Sequence, residues 1–142
     1  MSDTYSKIYI QVVFAVKNRD KLLHISWRQE VFKYIAGIVN AKGHKCYIVN
    51  GVEDHVHLLI SVKPSLLISD LVRDVKNNSS NYINERKFLK FKFSWQAGYA
   101  VFSYSADVIN LVYNYIQNQE AHHKKITFQS EYEKFIEEFP FG

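Results

Sequence analysis

Two histidines separated by a single residue, His55 and His57, are the side chains of this sequence whose type and spacing most directly allow chemistry. Residues 54–62 place an apolar side chain at every second position, a pattern that predicts a β-strand. Successive side chains on a strand point to opposite faces, so both imidazoles would share one face. Two neutral imidazoles at this spacing can bind one metal ion. The same pair also fits the edge of an ordinary core, and the pattern alone leaves both interpretations open.

A second pair of polar residues lies on a predicted helix near the C-terminus. This helix has an apolar stripe that must face the protein body: Val108, Ile109, Leu111, Val112 and Ile116. Tyr115 and Gln119 fall within this inward arc, whereas Tyr113 lies at its edge and Gln117 points away. An inward tyrosine is commonly a half-buried side chain with a hydrogen-bonded hydroxyl. The functional alternative is a nucleophile, Tyr115, presented together with a third metal ligand, Gln119.

The elements that must position these residues follow from the rest of the pattern. The sequence predicts strands and helices in the order residues 7–16, 27–42, 45–50, the histidine strand, 67–84, 99–105 and the tyrosine helix. Ser26 and Asp107 are predicted to cap the first and the last helix. The order βαββαβ plus a helix predicts an α+β, ferredoxin-like sandwich with an antiparallel sheet. The first two helices would cover one face, and the tyrosine helix would pack across the histidine face.

Two acidic residues, Glu53 and Asp54, come directly before the histidine strand. Their position is typical of turn residues. A carboxylate at this position can also orient an imidazole by accepting a hydrogen bond from it, so both roles stay open.

Composition restricts the class of protein. The chain has 142 residues, of which 47% are hydrophobic and 15% aromatic, so it is expected to form one folded domain over residues 1–142. A single cysteine, Cys46, excludes an internal disulfide and suits a reducing cytosol. No apolar run reaches the length of a membrane span, and the protein is not expected to associate with a membrane. We therefore expect a cytoplasmic protein.

Positive charge is concentrated between Lys63 and Lys92. This segment contains seven basic and three acidic residues, and the excess of 7 − 3 = 4 equals the formal net charge of +4 of the whole chain. Cations interleaved with aromatic residues suit single-stranded nucleic acid, because phosphates attract cations and bases stack on rings. A solvated basic loop is the alternative. The residues predicted to bind nucleic acid are Arg73, Lys76, Arg86, Lys87, Lys90, Lys92 and Trp95.

Both motifs resemble those of a known family. The triplet His55-Val56-His57 and the run 115–119 resemble the single-tyrosine HUH transposases of small bacterial insertion sequences, and their relatives associated with repetitive extragenic palindromes. Residues 94–105 and 118–125 are also similar to that family, in the same order, so the resemblance covers nearly the whole chain. Ala100 is followed by Val101 where relatives often carry a second glycine, a departure that bears on packing rather than on chemistry.

The resemblance implies a DNA transposase that cuts and rejoins single-stranded DNA at hairpin-flanked element ends. Tyr115 would form a 5′-phosphotyrosine intermediate, and His55, His57 and Gln119 would bind Mg²⁺ or Mn²⁺. The family also implies a homodimer in which first strands pair across a two-fold axis and the tyrosine helix of one chain can reach the histidines of the other. The strand 7–16 permits this, since it carries little charge that would block an edge.

Two alternatives remain open. One is a domesticated relative that processes palindromic repeats without mobilising itself, which would use the same residues. The other is a non-catalytic ferredoxin-like module that binds a metal or nucleic acid, in which the tyrosine and the histidines are structural.

Overall fold

A four-stranded antiparallel sheet forms the centre of the protein, whose computed structural model describes residues 4–119 and 121. The strands are β1 (Tyr9–Ala15), β2 (Lys45–Gly51), β3 (His55–Ser61) and β4 (Ala100–Tyr104). They lie in the order β2-β3-β1-β4, and each neighbouring pair is antiparallel. The helices are α1 (Arg28–Ala41), α2 (Ile68–Arg86) and α3 (Ile109–Gln117). The predicted α+β, ferredoxin-like order βαββαβ with an added C-terminal helix is confirmed.

One face of the sheet packs against α1 and α2 and forms the larger core. Alternate residues of β1 and β3 point to this side and lie opposite one another in register, as in the pairs Val12 with Leu58 and Phe14 with Val56. The helices contribute buried side chains that include Val31 and Ile35 from α1 and Val72 and Val75 from α2. Complete burial of each such side chain stabilises the fold by about 1.5–3 kcal/mol.

The opposite face carries a smaller apolar cluster beneath α3. Val13, Leu59 and Phe102 from the sheet pack against Val112 and Ile116 from the helix. The prediction that the tyrosine helix packs across the histidine face is therefore confirmed. In the described part of the chain, no helix is long and apolar enough to cross a membrane.

Both predicted helix caps are wrong. The cap position of α1 is Trp27, without a side-chain capping bond, and the backbone carbonyl of His24 accepts the N–H groups of Trp27 and Arg28 instead. A 3₁₀ turn, Ala106–Val108, precedes α3 and moves the helix start beyond Asp107. The Asp107 carboxylate therefore accepts a hydrogen bond from the Ser105 hydroxyl within that turn rather than capping the helix.

The prediction that β1 offers an edge to a second chain is also wrong. β1 pairs with β3 on one side and with β4 on the other, so both of its edges are used within one chain. The alternation suggested a half-buried strand, but Gln11 and Val13 on the second face are buried as well. The outer strands of the sheet are β2 and β4.

Candidate active site

The two histidines lie side by side on β3, on the sheet face that α3 covers. His55 and His57 are 0% and 4% exposed, and their ring centroids are 5.1 Å apart. In register, His57 lies opposite Val13 and His55 opposite Ala15 on β1. Strand alternation thus brings both imidazoles to one buried position, as the sequence predicts.

Each ring has its Nδ1 atom engaged in a hydrogen bond. Nδ1 of His55 is 2.7 Å from a carboxylate oxygen of Asp54, and Nδ1 of His57 is 2.7 Å from Oε1 of Gln11. Carboxylate and amide oxygens only accept, so each neutral ring carries its proton on Nδ1 and its lone pair on Nε2. Both Nε2 atoms are buried. Each ring is thus prepared to bind a cation through Nε2.

Asp54 performs both of the roles that its position left open. Its backbone carbonyl accepts the N–H of Val16 at 2.8 Å, which makes it part of the turn, while its carboxylate orients His55. Glu53 is exposed, and its backbone carbonyl accepts the N–H of Leu23. Only Asp54 of the two acids therefore orients a histidine.

Gln11 is a site residue that the motifs did not identify. It lies on β1, is 0% exposed, and donates through Nε2 to the Tyr104 hydroxyl on β4 at 2.8 Å. The available signal was a lone glutamine inside an apolar stretch, because a buried amide requires hydrogen-bond partners. Tyr104 gave no comparable signal, since tyrosine is common in strands.

The tyrosine helix places Tyr115 beside the histidine pair of the same chain. The ring centroids of Tyr115 and His57 are 6.2 Å apart, and the ring planes are inclined by 76°. Gln119 is 0% exposed, and its Nε2 atom donates to the backbone carbonyl of Tyr115 at 3.3 Å. Gln117 is exposed, as predicted. The prediction that Leu111 belongs to the inward stripe is wrong, since this side chain is 63% exposed. Tyr115 therefore lies beside His57 of the same chain, with Gln119 bonded to the backbone of Tyr115. The expected sharing of sites between two chains is not the arrangement seen here.

Asn50 on β2 fixes the end of the tyrosine helix over the site. It lies opposite His57 in register, and its Nδ2 atom donates to the backbone carbonyls of Ile116 at 3.0 Å and Gln117 at 3.1 Å. These carbonyls belong to the last turn of a helix, which lacks intrahelical donors for them. Asn50 therefore ties the turn that carries Tyr115 to the strand beside the histidines, a role that the motifs did not predict.

The donor atoms at this position suit a divalent cation. Oε1 of Gln119 is buried and receives no hydrogen bond from the residues that the structure describes, which is costly unless a positive charge faces it. No third histidine, cysteine or carboxylate completes a ligand cluster within residues 4–119 and 121. Two imidazole nitrogens and one amide oxygen would leave coordination positions for a phosphate oxygen and water.

Three of the residues predicted to bind nucleic acid are engaged within the protein. Nζ of Lys76 donates to the backbone carbonyls of Gln96 at 2.6 Å and Gly98 at 3.0 Å, and burial lowers the pKa of this amine. Arg86 forms an ion pair with Glu30 at 2.8 Å. Arg73 is paired with Asp70 and Asp74. Lys76 is thus a structural cation, whereas exposed ion pairs such as those of the two arginines are weak and exchange readily.

The predicted stacking role of Trp95 is wrong. The indole is 9% exposed and packs edge-on against Phe14 and Phe93, with ring centroids 4.8 Å apart in both pairs. Its Nε1 atom donates to the Ser79 hydroxyl at 2.9 Å. The backbone of Trp95 forms an isolated β-bridge with Val16, next to β1, and this pairing directs the Trp95 ring into the core rather than towards solvent.

Of the predicted cations, Lys87, Lys90 and Lys92 are exposed and have no ion pair among the described residues.

A basic turn that the charge pattern did not single out lies close to the histidine end of the sheet. The 3₁₀ turn Lys17–Arg19 follows β1, whose last residue lies opposite His55. The N–H of Lys17 donates to the Ser94 carbonyl at 3.1 Å, and the N–H of Asn18 to the Gln96 side chain at 2.8 Å. Asn18 and Arg19 have positive φ values of 59° and 55°. Such strain persists only where neighbouring structure enforces it, and it is common at ligand-binding sites.

Comparison with known proteins agrees with this geometry. The chain matches the family described as "Transposase IS200 like" over residues 4–119. A protein of Deinococcus radiodurans R1 assigned as a transposase superposes with a TM-score of 0.68 at 22% identity, over 84% of this chain and 95% of that one. A REP-associated tyrosine transposase, bound to a REP hairpin, superposes with a TM-score of 0.64 at 15% identity, over 89% and 74% of the two chains. No functionally curated protein matches the sequence.

The fold and the site define a class of protein in which a tyrosine helix covers a histidine pair on an antiparallel sheet. The chain belongs to the IS200-like transposase family. Family membership implies an enzyme that cleaves DNA and transfers strands.

Proposed function

We propose that this transposase cuts and rejoins single-stranded DNA through a covalent phosphotyrosine intermediate on Tyr115. One observation carries the proposal: the Tyr115 ring lies 6.2 Å from the His57 ring, next to the buried amide of Gln119. Two buried imidazoles and a buried amide beside a tyrosine are costly for stability, and such a group is typical of a functional site.

Tyr115 would attack the scissile phosphorus through its phenolic oxygen. The new bond joins the tyrosine oxygen to phosphorus, the bond from phosphorus to the 3′ oxygen breaks, and that oxygen leaves as a free 3′ hydroxyl after taking up a proton. The phenolic proton is released to solvent. The phosphodiester energy is retained in the phosphotyrosine bond, so attack by a 3′ hydroxyl reverses the step and rejoins DNA without ATP.

Tyrosine requires assistance for this reaction, because its ordinary pKa of ~10 leaves little phenolate at neutral pH. We propose that His55, His57 and Gln119 hold Mg²⁺ or Mn²⁺. A bound divalent cation would supply Lewis-acid stabilisation of charge on the phosphate and lower the proton affinity of a nearby nucleophile. The chain itself orients the imidazoles through Asp54 and Gln11 and excludes bulk water by packing α3 over them.

The proposed substrate is single-stranded DNA that carries a hairpin. The REP-associated transposase of the same fold is bound to a REP hairpin, which supports this choice. Lys87, Lys90 and Lys92 supply exposed charge at the end of α2, and Lys17 adds charge at the turn beside the histidine end of the sheet. These cations favour binding to phosphates, which weakens as salt increases.

We also propose that the chain forms a homodimer through β4 rather than β1. β4 is an outer strand, and its residues Ala100–Tyr104 include no charged side chain that would prevent strand pairing. Ser103 is exposed on this strand. Ser103→Lys should therefore yield monomers in light scattering, and an unchanged oligomeric state would refute pairing through β4.

The experiment that tests the proposed reaction is incubation with a labelled hairpin oligonucleotide and Mn²⁺. We expect a protein–DNA band that survives denaturation and disappears with EDTA. Absence of any covalent band with hairpin substrates of several sequences would favour the non-catalytic module. A domesticated palindrome-processing enzyme would give the same band, so its distinction from a mobile element depends on the genomic surroundings of the gene.

A further inference from the structure

A buried chain of polar groups leads from β4 through β1 to the second histidine. The Tyr104 hydroxyl accepts a hydrogen bond from Nε2 of Gln11 at 2.8 Å, and Oε1 of Gln11 lies 2.7 Å from Nδ1 of His57. Gln11 is 0%, His57 4% and Tyr104 9% exposed. A buried polar group that lacks a hydrogen-bond partner destabilises the fold. The three side chains therefore favour the arrangement in which each of them is bonded to its neighbour.

We propose that Gln11 and Tyr104 are positioning residues that determine which nitrogen of His57 faces the reaction site. This inference rests on the proposed function, because it concerns the histidine that would bind the cation. With Oε1 directed at His57, the imidazole proton must lie on Nδ1, and Nε2 presents a lone pair. If the amide were rotated by half a turn, its NH₂ group would donate to Nδ1, the imidazole proton would move to Nε2, and His57 could not act as a ligand.

Tyr104 favours the productive orientation of the amide. Without its hydroxyl, the productive orientation would leave a buried N–H of Gln11 without an acceptor, whereas the rotated orientation would leave only a carbonyl oxygen without a donor. Buried N–H groups without a partner are rarer and more costly than under-satisfied oxygens. Burial raises the pKa of Tyr104 well above its usual range, with the Gln11 bond acting weakly in the opposite direction, so the hydroxyl stays neutral.

The other histidine provides an internal reference. His55 is oriented by the Asp54 carboxylate, both oxygens of which accept. No rotation of a carboxylate can move the His55 proton to Nε2 by donating to Nδ1. Changes at Gln11 or Tyr104 should therefore alter the proton position of His57 and leave that of His55 unchanged, which a general loss of structure would not do.

The test uses the full chain and two measurements. The first is ¹⁵N NMR of the histidine rings in metal-free protein, about two pH units above the ordinary imidazole pKa of ~6.5. The second is Mn²⁺ affinity from electron paramagnetic resonance titration of free Mn²⁺. The variants are Gln11→Met, which removes the acceptor, Gln11→Glu, which restores one, and Tyr104→Phe. Tyr82→Phe is the matched control, since it removes a hydroxyl bonded to Glu30 on the other side of the sheet.

We expect the wild-type protein to show the Nδ1–H form at both histidines. Gln11→Met should weaken Mn²⁺ binding by about 10- to 100-fold, the usual effect of losing an orienting partner, and populate the Nε2–H form of His57 alone. Tyr104→Phe should have a smaller effect in the same direction, Gln11→Glu should retain the Nδ1–H form, and Tyr82→Phe should match the wild type.

Two results would overturn the inference: an Nε2–H form of His57 in the wild-type protein, or wild-type ring spectra and Mn²⁺ affinity in Gln11→Met. If the wild-type protein binds no Mn²⁺, the proposed metal role fails, but the ring spectra of metal-free protein still decide whether Gln11 sets the His57 proton. If Gln11→Glu does not fold, the comparison of Tyr104→Phe with Tyr82→Phe decides in its place.

Discussion

The two faces of the sheet are built in opposite ways. The face beneath α1 and α2 is filled with aliphatic and aromatic side chains from both helices and from β1 and β3. The face beneath α3 holds a smaller apolar cluster and four of the six buried polar side chains of the described residues: Gln11, His55, His57 and Gln119. Apolar burial stabilises, whereas buried polar groups at best offset their own desolvation. The comparison indicates that one face maintains the fold and the other holds the candidate active site.

The largest effect should come from the histidine pair. His55→Ala or His57→Ala should reduce DNA cleavage below detection, because each removes one of the two imidazoles proposed to bind the cation, while the α1–α2 core is unaffected. Cleavage of a labelled hairpin measures activity, and far-UV circular dichroism measures folding. Cleavage that continues in EDTA, or in either variant, would contradict the metal role.

A substitution on the opposite face should affect stability and spare chemistry. Leu58 is 1% exposed and points to the α1–α2 side. Leu58→Ala should lower the free energy of unfolding by about 2–5 kcal/mol, as expected for a cavity in a packed core. Denaturant unfolding measures the loss, and cleavage per folded molecule should stay near the wild-type value. A selective loss of cleavage would show that the two faces are not separable.

Charge on the surface proposed to bind DNA should produce an intermediate effect. Charge reversal at Lys87, Lys90 and Lys92 should weaken hairpin binding and reduce the dependence of log K on log salt by about 0.7 for each single-strand phosphate that the protein no longer neutralises. Binding isotherms at several salt concentrations measure both quantities. Lys33→Glu, on an exposed position of α1, is the control, because it matches the charge change of each single lysine reversal. Equal reductions of affinity in the two sets of variants would indicate nonspecific attraction.

The smallest effect is expected from mixing inactive subunits. His57→Ala and Tyr115→Phe chains, refolded together, should remain inactive, because Tyr115 lies beside His57 of its own chain and every site would lack one component. Recovery of hairpin cleavage in the mixture would show that sites are shared between chains during the reaction.

Periodicity was sufficient for the order and type of the main elements and for the faces on which most of the candidate site residues lie. Alternation placed His55 and His57 on one face, and the 3.6-residue period placed Tyr115 and Gln119 inward. Interactions between distant segments were not accessible in this way. Gln11 and Asn50 acquire their roles from strand order and register, which bring β1 and β2 to either side of β3.

Charge and aromatic composition were weaker guides than periodicity. Lys76 and Trp95 have the residue types of a nucleic-acid surface, yet they are buried or bonded because the segment after α2 returns alongside β1. The edge prediction for β1 failed for a related reason, since β4 pairs beside it. Tertiary packing determines whether each of these side chains and strand edges is exposed or engaged within the protein, and local composition does not encode that packing.

The central claim is that Tyr115 attacks DNA beside the histidine pair, and the position of the covalent bond tests it most directly. After reaction with a hairpin oligonucleotide and Mn²⁺, the adduct is digested and the DNA-linked peptide is identified by mass spectrometry. We expect the link on Tyr115, its absence in Tyr115→Phe, and its retention in the matched variant Tyr113→Phe. A link on Tyr113, or an undiminished adduct in Tyr115→Phe, would contradict the assignment.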